Sequence, residues 1–177
     1  MILKSRGFTF IEIMVVLAII GVMTTIVVPR LFYRSVATPL DTFAVGLNAL
    51  IQAGVLEAIR TDRLHRVFFD FEKKKVTLEA AQKKDADPLS TTTQFAPVSS
   101  VATVLNIPED LDFRHFYIGT VDEMGGARVT AIHFFIGPDG SVQDVTIEIK
   151  DVEQDTTITL MTNPFSGQLV MYDAQAR

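Results

Sequence analysis

The chain has 177 residues, a net charge of -5, 48% hydrophobic residues and no cysteine. Its length allows one globular domain besides an apolar N-terminal segment, and the missing cysteines exclude thiol nucleophiles, Cys-rich zinc sites and iron–sulfur ligation. From Glu109 onward twelve Asp or Glu stand against four Lys or Arg, a balance that disfavours a nucleic-acid surface.

The first element is MILKSRGFTFIEIMVVLAIIGVMTTIVVPR. A short basic leader ends at Gly7. Residues 8–28 then carry one charge, Glu12, and Pro29 closes the run. A helix over that run spans about 31 Å, the thickness of a bilayer's hydrocarbon core. A charge at the bilayer centre costs about 2.5–3.5 kcal/mol. Glu12 lies near one end, where the cost is lower but not zero. A secretory signal peptide has a shorter apolar core followed by a small-residue cleavage site; here the small residue, Gly7, precedes the run. A plain membrane anchor explains the length and leaves Glu12 unexplained.

The stretch resembles the leader of type IV pilins and type II secretion pseudopilins. Lys4, Arg6, Gly7, Phe8, Thr9, Glu12, the apolar run with Gly21, and Pro29 carry the likeness. The resemblance implies that a membrane-embedded prepilin peptidase cuts between Gly7 and Phe8 and methylates the new Phe8 amine. It also implies a partner for Glu12, namely the Phe8 amine of a neighbouring subunit in a filament. The positive charges on the two sides of the span, Lys4 and Arg6 against Arg30 and Arg34, are nearly balanced. The resemblance, not the charge count, places the C-terminal head in the periplasm and the span in the bacterial inner membrane. The missing cysteines leave out the C-terminal disulfide loop of many major pilins.

Pro29 predicts a helix kink or a short unwound stretch, and Pro39 a second break. From Leu40, the apolar residues Leu40, Phe43, Leu47, Leu50, Ile51, Gly54 and Ala58 recur at three- and four-residue steps, with Asp41, Asn48, Gln52 and Glu57 opposite. That is an amphipathic helix with one face for a sheet, ending near Asp62. The period then becomes two. Val67, Phe69 and Phe71, a charged EKKK turn, and Val76, Leu78 and Ala80 read as a β-hairpin. Residues 82–100 are polar, hold two prolines and read as an exposed loop. Five strands follow at 113–119, 129–136, 142–150, 156–162 and 168–173, separated by Gly125-Gly126, Gly137-Pro138-Asp139-Gly140, and Pro164 with Gly167.

The C-terminal half is similar to the H-type minor pseudopilins (the GspH/FimT group). Phe134, Phe135, Pro138, Asp139, Gly140, Gly167 and Val170 sit at the matching places, with Ile136-Gly137 inserted before the turn. The fold class is therefore α+β: a long, kinked N-terminal helix packed on an antiparallel β head, as in pilins. Its parts are a leader at 1–7, an assembly helix at 8–29, an amphipathic continuation at 30–62 and a head at 63–177.

No catalytic constellation stands out. His65, His115 and His133 are isolated, and no nucleophile elbow, phosphate loop or H-E-x-x-H occurs. Glu109-Asp110-Asp112 and Asp151-Glu153-Asp155 read as solvated acidic loops, so no metal, cofactor or enzymatic activity is expected. Lys73, Lys74 and Lys75 with Arg60, Arg63 and Arg66 form the one basic neighbourhood, which reads as a solvated turn rather than a DNA contact. The resemblance implies a minor pseudopilin of a type II secretion system. Its partners would be prepilin peptidase, other pseudopilins, an inner-membrane assembly platform and the lipid bilayer. A FimT-like minor pilin of a type IV or DNA-uptake pilus is the alternative, and a membrane-tethered enzyme or binding module is the remote one.

Overall fold

The computed structural model describes residues 10–32, 38–83, 93–99, 104–126 and 129–173. The leader, Gly7, Phe8 and residues 84–92 of the expected loop lie outside them. Two units divide the chain, Met1–Val36 and Ala37–Arg177. The first contains helix α1 (Phe10–Phe32), whose helical backbone continues through Pro29. The second is the head.

The head opens with helix α2 (Pro39–Thr61). Its start is written in Thr38-Pro39-Leu40-Asp41. The Thr38 hydroxyl accepts from the Asp41 amide at 3.0 Å, and the Thr38 amide donates to Asp41 Oδ2 at 3.1 Å. Together they satisfy two of the orphan donors at a helix start, and Pro39 supplies a preset φ where no amide is needed. The helix stops at Asp62, which turns left-handed at φ 51°. Every apolar residue assigned to the inner face is buried. At Gly54 helix and first sheet approach closely: a Cβ would sit 2.7 Å from Ile136 Cδ1 and 2.8 Å from Leu78 Cδ1, so a side chain there would push these two tips aside.

Two antiparallel sheets follow instead of one. In the first, β1 (His65–Asp70) lies between β2 (Lys75–Ala81) and β7 (Ala131–Ile136). The short strands β3 (Phe95–Pro97) and β4 (Val104–Asn106) both pair with β2. In the second, the order is β10 (Leu169–Asp173), β9 (Thr156–Thr162), β8 (Val145–Asp151), β5 (Leu111–Ile118) and β6 (Val121–Asp122). The two sheets meet through aromatic rings. Phe69 of β1 packs edge-on against Phe116 of β5 at 5.1 Å and against Phe113 at 6.2 Å. Phe43 of α2 meets Phe113 at 5.9 Å. A β-bulge between Phe113 and His115 makes this possible. It inserts one residue, so that both Phe113 and Phe116 face the core despite their odd spacing.

Four expectations need correcting. Glu57, assigned to the polar face, is 8% exposed; it stays charged-paired because Arg60 Nη2 reaches its carboxylate at 2.6 Å. On β2 the buried residue after Leu78 is Ala81, whereas Ala80 is half-buried; the Ala81 amide donates to Leu64 O at 2.8 Å. Residues 95–97 of the expected loop are a strand, held by β2. And β4 and β6, too short to show a period, were not anticipated.

Phe69 is fully buried at the junction of both sheets. Phe69→Ala is expected to lower the unfolding free energy by about 3–5 kcal/mol, read as a lower urea midpoint with unchanged secondary structure.

Candidate functional site

The chemistry the sequence singles out sits on α1. Glu12 lies in its first turn, where a carboxylate interacts favourably with the helix's positive end. Around it the large apolar side chains from Phe10 to Met23 are between 49% and 79% exposed. A bare apolar surface that continuous is costly in water and calls for lipid or another helix. By length and composition α2 also passes as a membrane span, with mean hydropathy 1.5. Its apolar face, however, is the core of the head, and 44% of that stretch is buried. The physical argument therefore assigns the span to α1, whose 23 helical residues reach about 34 Å. Gly7 and Phe8, the two expected processing residues, lie outside the described residues.

The head's histidines have structural contacts. His65 is 1% exposed and its Nδ1 lies 2.9 Å from the Arg63 carbonyl; burial pushes the ring's pKa below its usual 6.5. His115 meets Asp122 at 2.7 Å. That bond, with the amides of Phe116 and Met124, holds the Asp122 carboxyl below the usual carboxylate range. Asp122 thereby closes the β5–β6 turn. His133 lies on β7 beside Phe135.

One cleft gathers titratable groups: a cavity of about 280 Å³ lined by Glu57, Arg60, Thr61, Arg63 and His65, among others. Its groups already have partners. Arg60 holds Glu57, and the Thr61 hydroxyl donates to the Glu57 carbonyl at 2.6 Å. Among the described residues no group of three or more His, Asp or Glu is placed to hold a metal.

The basic neighbourhood is largely neutralised. Lys73 pairs with Asp70 at 3.0 Å, Lys74 with Glu109 at 3.3 Å and Arg66 with Glu79 at 2.6 Å. Arg66 also stacks between Phe68 and Phe95. The acidic loops are mixed: Asp151, expected in solvent, is 1% exposed. Sequence reasoning missed it because alternating acids at a turn look the same whether they face water or the core.

Residues 2–28 match the family model described as the prokaryotic N-terminal methylation motif. The solved structure of the minor pseudopilin EpsH, from the type 2 secretion system of Vibrio cholerae, has the same fold, with a TM-score of 0.52 at 16% identity. The alignment covers 77% of this chain and 98% of that one. The chain thus carries that N-terminal motif and has a pilin-like α+β fold. Comparison with curated protein sequences finds no match. In this pilin-like head the Pro138-Asp139-Gly140 turn follows β7. The Gly137 amide donates to Ser141 O at 2.7 Å, and Gly140 adopts φ +83°. Gly167, at φ +64°, precedes β10. The apolar N-terminal helix and the motif fit a membrane-anchored filament subunit.

Burial of His65 has a pH consequence. Its ring is neutral in the fold and gains a proton more readily when unfolded, so stability is full above about pH 6.5 and falls as pH drops below it. The carboxylates with lowered pKa, including Asp122 and Asp139, lose their contribution only at lower pH, below about 3.8. Urea midpoints of the full chain in detergent are therefore expected to fall between about pH 6.5 and 5. His65→Gln should remove most of that slope, the exposed His133 contributing a smaller share.

Proposed function

We propose that this chain is a minor pseudopilin of the H type, a subunit of a type II secretion pseudopilus. In this reading prepilin peptidase cuts between Gly7 and Phe8 and methylates the Phe8 amine. The mature helix then starts with a cation four residues before Glu12. The observation that carries the reading is Glu12 itself: one carboxylate in the first turn of a helix whose described apolar side chains, Phe10 to Met23, are exposed, inside a matched methylation motif.

The mechanism is mechanical. A subunit held in the inner membrane exchanges lipid contacts for helix contacts with its neighbours as it enters the filament. Apolar packing is nearly indifferent to sliding along the helix axis, whereas a carboxylate and an amine meet at one register only. Glu12 therefore sets the position of each subunit, paired with the Phe8 amine of the next. Removing one member of a buried pair strands the other, at a cost of about 3–5 kcal/mol. The head, in the periplasm, supplies contacts to other pseudopilins, and the growing rod drives cargo export or primes assembly. No step requires a cofactor or a bond made by this chain.

The likeness to EpsH supports the secretion reading over a pilus. The DNA-uptake variant of the pilus reading would need an open basic surface, and Arg66, Lys73 and Lys74 each have an acidic partner.

Intact mass of the membrane-extracted protein tests processing: loss of residues 1–7 plus one added methyl group is expected, and a mass that retains Met1 would end the proposal. Glu12→Ala should leave cleavage and folding unchanged while its share of mixed filaments drops at least tenfold against wild type. Equal co-assembly would refute the pairing. Charge reversal at Lys73, Lys74 and Lys75 should leave DNA retention at background; specific binding abolished by reversal would favour the uptake pilus.

A further inference from the structure

The turn from β8 into β9 is built on Asp151. Its Oδ1 accepts from the amides of Glu153 and Gln154, both at 3.0 Å. That bonding explains half of the carboxylate. The other oxygen, Oδ2, is buried and has no hydrogen-bond partner, although the residue is only 1% exposed. Turn closure alone does not call for an oxygen in that condition, since a capping aspartate normally leaves its second oxygen in water.

Asp151 lines a cavity of about 350 Å³ between this turn and the start of α2. Thr38, Asp41, Gln154 and Thr156 supply its other polar walls, and the rest of the lining is apolar. No Lys, Arg or His borders it. The adjacent Lys150 is committed to Asp155, at 2.5 Å. One oxygen of Asp41 and the Thr38 hydroxyl are used in the α2 capping box. The cavity thus has two carboxylates, neutral oxygens and no protein counter-charge. A buried charge is tolerated when it is paired or coordinates a metal.

We propose that this cavity binds a hard divalent cation, calcium in preference to magnesium, anchored by Asp151 Oδ2 with Asp41 as the second carboxylate. The donors are all oxygens, which suit calcium, magnesium or manganese. They come from a turn and a helix start of unrelated geometry. Calcium accepts such irregular sets of six to eight ligands, whereas magnesium demands a near-octahedral one. Two carboxylates predict weak affinity, with a Kd on the order of 10⁻⁴–10⁻³ M. The bound ion would tie the first turn of α2 to the second sheet, so binding should register as stability.

The test uses the full chain in detergent, with calorimetric titration of CaCl2 and thermal unfolding in 10 mM CaCl2, 10 mM MgCl2 or EDTA. Calcium should give saturable binding and raise Tm by about 3–6 °C over EDTA, with a smaller rise in magnesium. Asp151→Asn should weaken calcium binding at least tenfold and abolish the rise. If Asp151→Asn does not fold, Asp41→Asn decides, with the same tenfold loss expected. Absence of binding in the wild type would overturn the proposal and leave water as the occupant of Oδ2. Unchanged affinity in the deciding variant would overturn it too, and a magnesium effect equal to that of calcium would overturn the assigned preference.

Discussion

An apolar surface has to be covered, and the first helix of this chain covers none of the described part of its own. From Phe10 to Met23 its large apolar side chains are about half exposed or more. That surface calls for lipid or for other helices, and among the described side chains of α1 Glu12 is the one charge on it; in the proposed filament it is the point that distinguishes one position from the next. Dispersion and the loss of lipid contacts can hold such helices together but cannot tell them where to stop. A charge can, because its energy changes steeply over the length of a hydrogen bond.

The second helix shows the contrast. α1 and α2 have the same length, 23 residues each, and both are apolar. What separates them is periodicity. α2 alternates its apolar face with Asp41, Asn48 and Gln52, and that face closes onto the sheets, with Gly54 at a close approach to the first. Along its described side chains, Phe10 to Met23, α1 has no polar face, and Glu12 is the one charge there. A helix apolar all round finds no orientation that satisfies both core and water, and so its environment must come from outside the chain.

That difference is why so much of the fold was legible. The buried face of α2 could be read residue by residue, and so could both of its ends, because Thr38-Pro39 and Asp62 act locally. Strand β9 was read to the residue, since Thr156–Thr162 alternates cleanly between defined turns. What was not legible depends on distant partners. β3 exists because β2 offers it an edge. The bulge at Phe113/His115, which turns both Phe113 and Phe116 to the core, leaves no trace in an alternating pattern until the rings it redirects are seen in contact. Glu57 and Asp151 were misplaced for the same reason: polarity marks a residue for the surface, but an arginine three positions on, or two turn amides, can hold it inside. The motif at 2–28 was the reverse case, legible in full because its constraint is set by the membrane and not by the fold.

The placement of charge in the head extends this argument. A basic run beside a helix end invites a nucleic-acid reading, yet Lys73 and Lys74 each have an acidic partner and Arg66 is clamped between Glu79 and two rings. Pairs as exposed as Lys74–Glu109 add little stability. Their effect is to flatten the local field, and a flattened field cannot attract a phosphate backbone, which depends on unpaired cations. Acid, by contrast, is left over: twelve carboxylates follow position 108 against four cations. A head in which Arg66, Lys73 and Lys74 are paired and acids are in surplus is poorly suited to a phosphate backbone and better suited to cationic partners.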